Sequence, residues 1–304
     1  MSHTLSATPP PPPLQEQTIA KKYPPPAKNQ HELPTCTWAL EYPELQKACF
    51  LARVCEDRAP QHCQLRKVAS ILQEGPTCGL TALSMLLNGA PNPTELLQLA
   101  KQRGYTNNGE MFSAQNLFKL ICDALNSANS SATEANRREK STLNGMSVTE
   151  TGANECETEM PAVECVLHQG RLDCAKVRSA LQAGACIFVP YDPDYNHSPC
   201  LKYGHKAHWA LIIGYLINES NEYFVIARHG KAKNLAVWSM TSLSDSNANL
   251  IEFEQPKGYP DCDFLLPPGG IGGDLGLRER AIIVNMLPLE DLFFYARNER
   301  NAKH

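Results

Sequence analysis

The chain has 304 residues, 42% of them hydrophobic and 20% charged, with a formal net charge of −4. This is the balance of a soluble globular protein long enough for one or two domains, and the mild acidity argues against a general nucleic-acid binder, which presents a basic face. The longest apolar run, Trp209 to Ile217, is far short of the ~20 residues that cross a bilayer. No charged start followed by an apolar stretch opens the chain and no prenylation motif closes it, so the expected compartment is the reducing cytoplasm. The 12 cysteines are too sparse for a disulfide scaffold and are read for catalysis or metal before bridges.

In chain order, residues 1–34 read as a disordered Pro-rich tail. Pro9 to Pro13 and Pro24 to Pro26 are unbroken proline runs, which favour polyproline II and build no core. They read as a solvated linker or as a ligand for an aromatic-lined groove on another protein. Residues 35–304 are expected to form one domain. Its first part, 35–70, reads as mostly helical, with Leu40, Leu45, Phe50, Leu51 and Val54 as apolar positions and a break at Tyr42-Pro43. A helix is predicted from Cys78 through Leu87. Another runs from Pro93 to Arg103, with Asn92 as cap and Gly104 as stop. A third follows Ser113 and carries Leu117, Leu120, Ile121 and Leu125. Residues 127–161, rich in Ser, Asn, Thr and Glu, read as a low-complexity surface insertion.

A fourth helix covers about Asp173 to Gln182 and ends at Ala183-Gly184. Strands are then predicted over Ala185 to Tyr191, His208 to Ile217, Tyr223 to Arg228, Leu235 to Trp238 and Ala281 to Leu287, with a turn at Asn218 to Asn221. Helices first and antiparallel strands later give an α+β domain.

The chemistry concentrates at Gln73-Glu74-Gly75-Pro76-Thr77-Cys78-Gly79-Leu80. Gly75-Pro76 forbids regular structure and an amphipathic helix begins at Cys78. A thiol at a helix N-terminus meets the positive end of the dipole and unpaired N–H groups, which favour the thiolate. The Gln73 amide and the Cys78 N–H make two donors for an oxyanion. His208, at the mouth of its strand, is the candidate base, since a Cys–His pair drawn from distant sequence is the usual cysteine-peptidase arrangement. The group that orients the imidazole is expected to be Asn or Asp after the Tyr223 to Arg228 strand. The sequence offers His229 and Asn234 there; neither fits cleanly, and the role stays open.

Several strings carry a resemblance. They are Gln73 to Leu83, Arg103-Gly104-Tyr105-Thr106 with Gly109 to Ser113, and Val189-Pro190-Tyr191-Asp192 through Asn196-His197 and Pro199-Cys200 to Gly204-His205-Lys206-Ala207-His208-Trp209-Ala210. With Gly230-Lys231, Trp238 and Ser246 to Leu250, they closely resemble the actin maturation protease family over roughly Val68 to Leu287. The resemblance implies a papain-like cysteine peptidase fold related to bacteriocin-processing peptidases, with no cofactor. The implied activity removes the acetylated N-terminal residue of actin, with Cys78 as nucleophile, His208 as base and Gln73 as oxyanion donor. It also implies a profilin-binding Pro-rich region, matched in type by Pro9 to Pro13.

Actin's N-terminus is acidic, so the side of the cleft that takes it is expected to be basic. Lys202, Lys206, Arg228, Lys231 and Lys233 outnumber Glu219 and Glu222 between positions 202 and 233, and are expected to steer that substrate. The rival readings are a zinc site at His197, Cys200, His205 and His208, a non-catalytic adaptor of the same fold binding actin or profilin, and the same fold running an isopeptidase or acyl-transfer reaction. Asp192, Asp194 and Asn196 are spaced as at the start of an EF-hand loop, but the later glycine and glutamate are missing.

Overall fold

The apolar run at 208–217 becomes the strand around which the domain is organised. The computed structural model describes residues 37–55, 58–127, 163–285 and 287–297, all within the unit Pro34–His304. The proline tail lies outside the described residues, as does the 127–161 insertion apart from Ser127. Elements follow in the order α1 (Pro43–Ala52), β1 (His62–Arg66), α2 (Cys78–Leu86), α3 (Pro93–Gln102), α4 (114–127), β2 (Glu164–Gln169), α5 (Ala175–Gln182), β3 (Cys186–Pro193), β4 (Pro199–Cys200), β5 (His208–Ile217), β6 (Tyr223–Arg228), β7 (Ala236–Ser239), α6 (Met240–Ala248), β8 (Arg280–Asn285) and β9 (Leu292–Ala296). The expected α+β class is what forms.

Every strand pairing is antiparallel. The sheet runs β2-β8-β3-β5-β1-β9, with β6 also on β5, β7 on β6 and β4 on β3. Thus β5 meets β3 along its first half, β1 along its second, and β6 on its other edge. Both of its faces are covered. Trp209, Leu211, Ile213 and Leu216 join the core with α2 and α4, while Ala210, Ile212 and Tyr215 join a second core with α5 and α6. The register on β6 shifts between Ile212 and Gly214, and the alternation of faces slips there by one residue, as a bulge requires. A Cβ on Gly214 would lie 2.1 Å from the Gln64 carbonyl oxygen, so only glycine lets β1 and β5 come this close.

The helices follow their local signals. Asn92 caps α3 by accepting from the Thr94 and Glu95 N–H, and Glu95 returns a carboxylate to the Asn92 N–H. Leu117, Leu120, Ile121 and Leu125 of α4 are all buried.

Residues 35–70 depart from expectation. Only 43–52 form an α-helix, after a short 3-10 turn at Thr37–Ala39, and 62–66 form a strand between β5 and β9. Partners from about 150 or more positions away hold Cys63 and Leu65 fully buried, a tertiary pairing that overrides the local pattern. Leu45 and Val54 are buried as expected, but Leu40, Phe50 and Leu51 are exposed. Helix α6 has no apolar stripe to announce it and is fixed by side-chain bonds. Ser244 Oγ accepts from Leu172 and Asp173 N–H, and the Asn247 amide donates to the Pro190 and Arg280 carbonyls.

Candidate active site

Cys78 opens α2 after the Gly75-Pro76 turn, where Gly75 takes φ +64°. Thr77, at the N-cap, turns its hydroxyl back to the Glu74 carbonyl at 2.7 Å and does not cap the helix. The first amides of α2 are therefore left for another acceptor. Gly79 brings this helix end against β5: a Cβ there would lie 3.2 Å from Trp209 and 3.3 Å from both Leu117 and Met111. Trp209 is fixed in turn by its indole N–H, which donates to the Met111 carbonyl at 2.7 Å. Cys78 is half-buried as a residue, and its sulfur reaches the Trp209 backbone N–H of β5. Burial pushes its thiol upward. The Trp209 N–H, the Lys231 ammonium and the Gly79 and Cys78 N–H groups oppose that push.

His208, the residue before Trp209, begins β5 and is 4% exposed. Its Nε2 lies 2.5 Å from the backbone carbonyl oxygen of His229. A carbonyl only accepts, so Nε2 carries the proton and Nδ1 is the basic nitrogen. Burial lowers this imidazole to about 3, with Lys231, His229 and His197 adding to the push and the His229 carbonyl opposing it. At rest the pair is therefore a thiol and a neutral imidazole. The carbonyl is where it is because β6 pairs with β5, Arg228 opposite Leu211, so the chain leaves β6 beside the start of β5. Gly230, at φ +70°, makes the turn that follows, and its carbonyl accepts the Gln73 N–H at 2.9 Å. The Gln73 loop is thereby tied to the same corner. The Gln73 amide donates to the Gly75 carbonyl at 2.8 Å, and its Oε1 is buried without a partner among the described residues.

Gln73, Cys78 and His208 line one cleft of about 710 Å³. Two buried carboxylates shape its walls. Asp192, fully buried at the end of β3, accepts N–H bonds from Lys202, Gly204 and Lys206 and so folds the 193–207 loop over the site. Glu110 accepts from Asn107, Asn108 and Leu265 N–H, holding the 107–113 loop to the 253–265 segment.

The family model described as actin maturation protease-like, C-terminal domain, matches residues 68–152 and 150–216. An actin maturation protease of Drosophila melanogaster is 53% identical over 254 residues, 83% of this chain and 82% of that protein. The chain belongs to the actin maturation protease family. Members from Danio rerio and Homo sapiens are 29% and 25% identical over 245 and 247 residues, covering 67% and 68% of this chain and 68% and 61% of theirs.

In this member of the family, the partner of the imidazole is a main-chain atom. The sequence pointed to the right corner, after β6, but to a side chain. The ring of His229 packs 5.0 Å from the His197 ring and 5.9 Å from that of Trp238, meets the His208 ring edge to face at 6.4 Å rather than through a hydrogen bond, and its Nδ1 has no partner among the described residues. A backbone carbonyl leaves no mark in a sequence, and neither did the wall at 253–265.

The basic residues separate. Lys206 and Lys231 line the cleft, together with Lys257. Lys202 and Lys233 are not among the lining residues, although Lys202 stands over the exposed Tyr195 ring. Arg228 faces inward: 4% exposed, it pairs with both oxygens of Glu44 on α1 and donates to the Val68 and Lys233 carbonyls. Its role as a substrate contact is therefore replaced by one in the fold, because β6 turns it toward α1.

His205 of the zinc reading is instead engaged by Glu252 and Glu254, at 2.9 and 3.1 Å. Among the described residues no three His, Cys, Asp or Glu side chains group as metal ligands. Asp192 and Asp194, the first EF-hand-like positions, spend their carboxylates on loop N–H groups.

Proposed function

We propose that this chain is a cysteine-type peptidase that removes the acetylated first residue of actin. The observation that carries the reading is the imidazole of His208, held through Nε2 by the His229 carbonyl, in one cleft with a thiol at a helix start. The substrate comes from the family to which the chain belongs, whose relatives bear the name actin maturation protease.

The chemistry follows from the protonation states. As the Cys78 sulfur attacks the carbonyl carbon of the acetylated residue, Nδ1 of His208 takes the thiol proton as general base. The carbonyl π pair moves to oxygen. The Cys78 N–H and the second N–H of the Gln73 amide are the donors for that oxyanion. Collapse breaks the C–N bond, and the imidazolium passes its proton to the departing amine, which is the shortened actin. Water, deprotonated by the same imidazole, then hydrolyses the thioester, releasing the acetylated amino acid and the thiol. Burial keeps both groups neutral at rest, so the His208 imidazole is unprotonated across the neutral range and open to the thiol proton.

Two further parts of the reading concern the whole chain. Pro9 to Pro13 serve as a polyproline ligand for profilin, and the cytoplasm is the place of action. No described helix is long and apolar enough to cross a membrane.

The test uses the full chain and a peptide of the acetylated actin N-terminus, with products read by mass spectrometry. The expected result is one acetylated amino acid and the shortened peptide, lost with Cys78→Ala and with His208→Ala. Turnover that survives Cys78→Ala overturns the assignment.

A further inference from the structure

The cleft lining carries two chemically different sets of residues. In one, Lys206, Lys231 and Lys257 stand without an ion-pair partner among the described residues. The other comprises Met111, Phe112, Phe253, Tyr259, Phe264 and Leu277. Met111 and Leu277 are each 1% exposed, and Phe264 is 9% exposed. The rings pack edge to face: Phe112 lies 5.2 Å from Phe253 and 6.0 Å from Phe264, and Phe264 lies 6.1 Å from Tyr259. This box is built on purpose-made supports. Glu110 bonds the Leu265 N–H, and Asn107 and Asn108 both donate to the Asp263 carbonyl, so the segment carrying Phe264 is fixed to the loop carrying Phe112.

The carboxylates of the lining are already engaged. Glu110 is 2% exposed and spends its carboxylate on three N–H groups, Asp194 accepts the Asn196 and Ser198 N–H, and Glu254 pairs with His205. A chain beginning with a free amine would leave its charge against aromatic edges and apolar methylenes, whereas a neutral acetamide loses far less on entering them. Met111 connects the box to the chemistry, since its carbonyl fixes the indole of Trp209, and the backbone N–H of Trp209 meets the Cys78 sulfur.

We propose that this aromatic box is the specificity pocket. It receives the residue to be removed, requires that residue to be N-acetylated, and favours an apolar side chain on it, while the acidic stretch that follows runs toward Lys206 and Lys231. The proposal rests on the peptidase reading above and adds to it the residues that select the first position.

The experiment compares kcat/KM on acidic peptides that differ only at the first residue (acetyl-leucyl, acetyl-glycyl and free leucyl) for the wild type, Phe253→Ala and Phe253→Leu. The wild type should prefer acetyl-leucyl over both others by about 10- to 100-fold. Phe253→Ala should collapse the leucyl-to-glycyl ratio toward one, and Phe253→Leu should restore most of it. If Phe253→Ala does not fold, Tyr259→Ala on the same wall is read in the same way. A wild type that cuts acetylated peptides with a ratio unchanged by either alanine variant overturns the pocket and leaves the peptidase standing. A wild type that cuts free-amine peptides equally well overturns the acetyl requirement. A wild type that cuts no acetylated peptide overturns the peptidase reading, and the pocket with it.

Discussion

His208 and His229 are 4% and 5% exposed, and burial lowers their imidazoles to about 3 and about 4. In the unfolded chain both titrate near 6.5. Between 6.5 and about 4 the unfolded state therefore binds protons that the folded state refuses, and stability must fall as pH drops through that window. Two such groups give a slope approaching about 2.7 kcal/mol per pH unit. Urea midpoints measured from pH 7 down to 4.5 should show that decline, and His229→Gln should roughly halve it. A flat profile would mean that these rings are solvated in the folded protein. The same residues explain the limits of reading a site from side-chain identities. His229 acts on His208 through its carbonyl, an atom that every amino acid supplies.

Among the elements, β5 was fully legible, because burial on both faces produces an apolar run that needs no alternation. Helix α3 was legible for a different reason: its cap, first-turn proline and stop are local devices. Strand β1 was not, since its pairing with β5 and β9 arises only in the folded chain. Arg228 shows the same divide. On charge alone it belongs with the cleft lysines, yet it joins β6 to Glu44 of α1. Arg228→Met should therefore leave Glu44 unpaired and destabilise the domain by about 3 kcal/mol, measured by thermal or urea unfolding. Lys206→Gln, on a solvent-facing loop, should stay within about 0.5 kcal/mol of the wild type. A stable Arg228→Met protein would return that residue to the surface.

For the molecule as a whole, the net charge of −4 opposes an acidic substrate, and the lysines that line the cleft reverse that sign locally. Turnover of an acidic peptide should therefore fall as salt rises, since at 0.1 M charges are screened over about 10 Å. An acetylated peptide with neutral residues after the first should show no such fall, and Lys206→Gln should weaken the dependence for the acidic one. Equal salt profiles for the two peptides in the wild type would remove steering from the account.

Local sequence by itself determined that a thiol begins a helix after a Gly-Pro turn, and that an imidazole begins a buried strand far down the chain. Periodicity, caps and turn residues act over a few positions and are written in the residues themselves. Only the tertiary structure decided what surrounds that pair: the carbonyl that holds the imidazole, the aromatic wall of the cleft, and which basic residues face solvent and which the core. Those outcomes depend on strand pairing and close approach across the whole chain, and on backbone atoms that carry no residue identity.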